Sequence, residues 1–187
     1  MKAVLLSIRP QHCARIASRR KTIELRKRVP KLPTPYKCYI YETKGPTDTP
    51  WMDEDGHMDF RGRGQVIGEF ICDEVYDYEP CDYGIAATYA CVPFEDVVKY
   101  ADDGLTLHGL HISDLKIYDK PREISEFTRA GDCQCGPKAR SCPYMNKGDP
   151  EAGIEDDCSA PFDTTEHVPI TRAPQSWCYV EEREDIA

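Results

Sequence analysis

Residues 3–8, AVLLSI, form an apolar run broken only by Ser7, the pattern of a strand buried on both faces. Pro10 then suits a helix start, and Cys13, Ile16 and Ala17 make one apolar stripe at helical spacing through PQHCARIASRR. Residues 22–29, TIELRKRV, change to a period of two: Ile23 and Leu25 share one face, Thr22, Glu24 and Arg26 the other. This predicts a half-buried strand with a charged face, ended by Pro30, Pro33 and Pro35. Further strands are expected at 36–43 (YKCYIYET), 65–75 (QVIGEFICDEV), 111–118 (HISDLKIY) and 176–181 (SWCYVE). Phe94, Val97, Val98 and Ala101 mark a second short helix, with Pro93 at its start.

Two stretches break all periodicity. Residues 45–64 are dense in Gly, Pro and Asp and predict an acidic surface loop. Residues 131–165 are irregular and carry cysteines. The order β-α-β-β-β-α-β-(Cys insert)-β predicts an α+β domain spanning 1–187, a mixed, partly closed β-barrel of five to six strands with two short helices. The βα alternation and the Gly-rich loop of a dinucleotide fold are both missing.

Charge sharpens this picture. The chain of 187 residues carries a net charge of -9, yet residues 1–45 hold 12 Lys and Arg against 2 Asp and Glu. The densest part is SRRKTIELRKR, residues 18–28, whose single carboxylate is Glu24. Segregated charge of this kind creates a local positive field in an otherwise anionic molecule, suited to admitting a polyanion at one place. The bland alternative is a set of solvated basic residues spread over several faces. No apolar run reaches the length of a membrane span, and MKAVLLSIRP lacks the cleavage pattern of a leader, so a cytoplasmic protein without a membrane partner is expected.

On its own chemistry, Glu24 between Lys21 and Arg26 is a carboxylate held ionised. Arg26 offers a planar fork for a phosphate or a base edge, and Lys21 a mobile point charge. The alternative is an ion-pair network on the surface, contributing little. Trp177 is a candidate stacking platform or a packed core residue, and His111 and Ser113 share a strand face that could join the same cleft. Cys133, Cys135, Cys142 and Cys158 give C-x-C-x6-C-x15-C, four thiolates that suffice for one structural Zn²⁺, with His167 the nearby substitute; reduced, unliganded cysteines are the alternative. Cys38, Cys72 and Cys178 fall within strands and read as small buried hydrophobes.

The stretch ASRRKTIELRKRVPK, residues 17–31, resembles the G-x-K-x-x-E-x-R motif of the activating signal cointegrator homology (ASCH) domain, with Lys21, Glu24 and Arg26 at the Lys, Glu and Arg positions. Arg19 stands where the family usually has Gly. The resemblance continues in PYKCYIYETKG, GQVIGEFICDEV, HISDLKIYDKPREISEF and PQSWCYVEE, and is strongest to a bacterial and phage branch. It implies a PUA-like fold and a cleft beside the first helix that binds RNA. Some members are enzymes. One type removes acyl groups from N4 of cytidine with a Lys and a Thr of this motif and a downstream Glu; here the Thr position is Glu24. Another type cleaves RNA through Tyr, Lys and Ser.

Three functional expectations follow. The first is an RNA- or nucleotide-binding cleft built from Arg20, Lys21, Glu24, Arg26, His111, Ser113 and Trp177. The second is a small hydrolase acting on a modified nucleoside or on RNA, with Lys21 and Glu24 as catalytic residues. The third is an interaction module whose acidic two thirds meets a basic partner.

Overall fold

The computed structural model describes residues 1–52, 58–102, 104–130, 145–146, 157–158 and 169–183. Its elements are β1 (Lys2–Ile8), α1 (Pro10–Ala17), β2 (Ile23–Arg26), β3 (Tyr36–Glu42), β4 (Pro46–Met52), β5 (Met58–Arg61), β6 (Val66–Cys72) and β7 (Val75–Tyr78). There follow α2 (Tyr83–Ala90), α3 (Phe94–Tyr100), β8 (Leu107–His111), β9 (Ser113–Arg122), β10 (Met145–Asn146), β11 (Asp157–Cys158) and β12 (Trp177–Glu181). Among the described residues no helix is long and apolar enough to cross a membrane.

β1 lies inside a five-stranded sheet of order β12-β1-β3-β6-β9, parallel to β3 and antiparallel to β12. Its unbroken apolar run is explained by burial on both faces. Val4, Leu6 and Ile8 pack with Cys13 and Ile16 of α1, whereas Ala3 and Leu5 pack on the opposite face with Tyr39, Phe127 and Val180. A second sheet, β2-β8-β7, is antiparallel throughout and rests on α2 and α3 through Ile23, Leu25, Ala86, Ala90 and Val97.

Several expectations need correction. In place of the expected barrel of five to six strands, the described residues form two main sheets with no barrel closure. The run at 65–75 divides into β6 and β7, and the run at 111–118 divides between β8 and β9. Both divisions occur side by side, where the chain passes from one sheet to the other, as the pairings Ile71 with Ser113 and Val75 with Leu110 require. The hydrophobic alternation continues across both corners, so nothing in the pattern announces them. The aperiodic stretch at 45–64 contains the antiparallel pair β4 and β5.

Among the described residues there are three α-helices, not two. α2 escaped detection because its small residues Ala86, Ala87 and Ala90 face the core while Ile85 and Tyr89 stay exposed. Apolar residues on both sides erase the stripe that marks an amphipathic helix.

Candidate nucleic-acid cleft

The cleft begins at the end of α1. Arg19 N–H bonds to Ile16 O at 2.8 Å and Arg20 N–H to Arg15 O at 3.0 Å, the paired bonds of a Schellman helix stop. That stop requires a left-handed residue, and Arg19 supplies it at φ 59. Glycine would adopt this conformation without steric cost, which is the physical sense of the Gly usual at this motif position. The turn delivers Lys21 to the edge of β2 with its backbone N–H on Arg15 O at 3.0 Å.

Lys21, Glu24 and Arg26 are then only 3%, 6% and 6% exposed. The charged face of β2 is therefore buried, not half-solvated as the alternation suggests. Register explains this: Glu24 lies opposite Leu110, whose side chain joins the core beneath α1. Side chains directly opposite across a strand pair point to the same side, so Glu24 enters the space between the two sheets.

Buried charge demands partners, and each of the three groups has at least one, although Arg26 Nε has no hydrogen-bond partner among the described residues. Glu24 Oε1 lies 2.9 Å from Arg26 Nη2, and Glu24 Oε2 lies 3.2 Å from Lys21 Nζ. The second contact is an ion pair without hydrogen-bond alignment, because Oε2 makes no geometrically sound hydrogen bond. Burial pushes the Glu24 carboxyl up, but Lys21 and Arg26, with His12 adding to them, outweigh it and hold its pKa below the usual value. Lys21 Nζ also donates to Ala90 O at 3.1 Å, and Arg15 Nη1 to Cys91 O at 2.7 Å. Both carbonyls belong to the end of α2, where unpaired C=O groups favour cations. Arg26 donates to Ser7 O at 2.9 Å and to Ser176 O and Oγ at 3.2 and 3.1 Å. One guanidinium thus ties β2 to β1 and to the segment entering β12.

This triad forms the floor of a cleft of about 1040 Å³. α1 contributes Gln11, His12 and Arg15, with Arg9 just before it; α3 contributes Asp96, Val97, Lys99 and Tyr100; Pro174, Gln175 and Ser176 close the far side. The lining holds five Lys or Arg against two carboxylates, in a chain whose net charge is -9. His12 is held below its usual pKa, first by burial and then by Lys21, with Glu24 opposing, so its imidazole is neutral at pH 7. Its Nδ1 is buried without a hydrogen-bond partner among the described residues.

Of the residues expected here, the structure brings together Lys21, Glu24 and Arg26, and places the others elsewhere. Arg20 is exposed at the helix stop, its Nε on Ser18 Oγ at 3.3 Å. His111 Nδ1 lies 2.6 Å from Asp73 Oδ1, and Ser113 Oγ donates to Ile71 O at 2.8 Å, so both brace the corners between sheets. The bond to His111 holds Asp73 below the usual carboxylate pKa. Trp177 Nε1 donates to Arg28 O at 3.1 Å and its ring meets Tyr179 edge-on at 5.3 Å, packing against the core under α1. None of these four side chains lines the cleft. Cys133, Cys135, Cys142 and His167 lie outside the described residues, as does the side chain of Cys158, and the zinc expectation rests on their spacing alone. Cys38, Cys72 and Cys178 are buried, free thiols raised in pKa by burial, consistent with their reading as small hydrophobes.

Reading along the chain for single strands missed Arg9, His12, Arg15, Lys99 and Tyr100. A signal did exist: Arg9, His12 and Arg15 recur every third residue and run along one side of α1, flanking the stripe of Cys13 and Ile16.

No family model matches the chain, and no curated protein matches it. Solved structures do. The ASCH protein of Zymomonas mobilis superposes with a TM-score of 0.51 at 16% identity, covering 65% of this chain and 73% of that one. A mutant form of the same protein superposes with a TM-score of 0.50 at 18% identity, covering 66% and 77%. At this level of identity the likeness speaks to architecture alone. The chain has an α+β fold similar to that of this ASCH protein.

Proposed function

We propose that the cleft binds RNA or a nucleotide-like ligand. The observation that carries this reading is the convergence of Arg9, Arg15, Lys21, Arg26 and Lys99 on one concavity of an acidic protein. The net negative charge of the rest of the chain disfavours polyanions over most of the surface and leaves this concavity as a place that favours them. The division of labour inside the cleft matters. Lys21 and Arg26 are engaged with Glu24 and with backbone carbonyls, and they set the shape and potential of the floor. Arg9 and Lys99, exposed at the rim, have no ion pair among the described residues and are the cations free to meet phosphate.

Binding of a short single-stranded RNA, followed by fluorescence anisotropy across a salt series, tests this. Arg9→Ala with Lys99→Ala is expected to weaken binding uniformly across sequences and to lower the salt slope by about 1.4, roughly 0.7 per lost phosphate contact on a single strand. Unchanged affinity and slope in the double variant would sink the cleft reading. These rim positions are better probes than Lys21 or Arg26, whose removal disturbs folding.

A second reading, hydrolysis of a modified nucleoside, has His12 in its favour. A neutral imidazole beside the Lys21–Glu24 pair can accept a proton at pH 7, whereas an ionised carboxylate between two cations is a weak base. Turnover of N4-acetylcytidine that falls at least about 100-fold in His12→Ala, within the range ascribed to general base catalysis, is the expected result on this reading. Turnover unaffected by that change would remove His12 from it.

A further inference from the structure

A cleft that holds single-stranded nucleic acid needs a surface for bases as well as cations for phosphates. Trp177 does not provide it. Among the described residues that line the cleft, Tyr100 is the only Phe, Tyr or Trp. It ends α3 and is 41% exposed, a large apolar ring left facing solvent inside a concavity. Its ring is held in place from one side: Lys27 Nζ sits 5.4 Å from the ring centroid, and Asp102 Oδ2 lies 3.6 Å from that ammonium.

The two walls of the cleft differ in character. The α1 wall presents Arg9, His12 and Arg15. The α3 wall presents Val97, Asp96 one turn before Tyr100, and the ring itself, with Lys99 as its one cation. A phosphate is favoured on the first wall and, on the second, at Lys99 on the rim, whereas Asp96 repels it from the surface beside the ring. An unpaired base is favoured on the second, where it covers apolar surface and where a carboxylate accepts hydrogen bonds from N–H groups on the base edge.

We propose that Tyr100 is a stacking platform for one unpaired base, with the adjoining phosphate directed to Arg9 across the cleft. This rests on the nucleic-acid reading above and narrows it to a ligand with an accessible base face, excluding intact duplex.

The test compares three probes on the full chain: a labelled oligouridylate, the same strand annealed to its complement, and inorganic polyphosphate. Wild-type protein is expected to prefer the single strand to the duplex. Tyr100→Leu is expected to weaken oligouridylate binding about 5- to 150-fold, the span measured for loss of one base–aromatic stack, with the salt slope and the polyphosphate affinity unchanged. Tyr100→Phe keeps the ring and is expected to retain binding. Oligouridylate affinity unchanged in Tyr100→Leu, with wild-type binding intact and salt-dependent, overturns the stacking role and leaves the cleft reading standing. Equal losses for oligouridylate and polyphosphate also overturn it, since that pattern marks a lost charge contact or a misfolded α3. Absence of any wild-type binding to the single strand overturns both.

Discussion

Glu24→Gln is expected to destabilise the protein by about 3–5 kcal/mol, the usual consequence of removing one partner from a buried ionic group. Glutamine fills nearly the same volume, so the loss is electrostatic. Lys21 and Arg26 would remain buried beside a neutral amide, two cations without their carboxylate. Acid should produce a related result in the wild-type protein. The folded pKa of Glu24 lies below its unfolded value, so the unfolded state binds the proton more readily. The contribution of Glu24 is therefore complete above the unfolded value of about 4.3 and is lost as pH falls through the lower folded value. Urea unfolding of both proteins between about pH 3 and pH 7 checks this: the stability difference should be largest at neutral pH and shrink in acid. A difference that is constant with pH would show that packing, not charge, is what glutamine fails to replace.

Arg26→Lys should cost about 1.5–3 kcal/mol although it conserves charge, because Ser7 O and Ser176 Oγ lose a charged donor, while Ser176 O keeps the Ser7 N–H at 2.9 Å. The guanidinium reaches Glu24, Ser7 O and Ser176 at once, from two nitrogens set at fixed angles. A lysine ammonium is a single point and cannot span those acceptors. The urea midpoint should fall with little change in the slope of the transition, because the native sheets still form. A lysine variant as stable as wild type would mean that the ties from β2 to β1 and to the segment entering β12 do not hold the cleft together.

These two outcomes bear on why Lys21, Glu24 and Arg26 occur as a unit. A buried ion triad is weak evidence for stability in itself, since well-packed apolar residues often do as well. What this triad does is geometric. It sets one charged cluster at the junction of β1, β2, the end of α2 and the approach to β12, and the cleft opens above that junction.

Much of this was legible along the chain. The stripe of α1, the double burial of β1 and the shared face of Glu24 and Arg26 follow from periods of 3.6 and 2, which are local properties of the backbone. The motif likewise marked Lys21, Glu24 and Arg26 as one group. His111, Ser113 and Trp177 could not be placed by such rules. Each lies on a strand face that alternation describes correctly, but alternation does not say which sheet the strand joins. The corners at Cys72–Val75 and His111–Ser113 send neighbouring residues into different sheets.

By itself, then, the sequence determined the α+β class, most of the strands that surround the first helix, and the concentration of positive charge in the first 45 residues. Only the tertiary structure decided that the charged face of β2 is buried, that α2 ends where Lys21 and Arg15 need acceptors, and that Tyr100 and not Trp177 meets the cleft. The physical reason is range. Periodicity and turn chemistry act over a few residues, whereas burial of a charge depends on acceptors up to 150 positions away, as with Arg26 and Ser176.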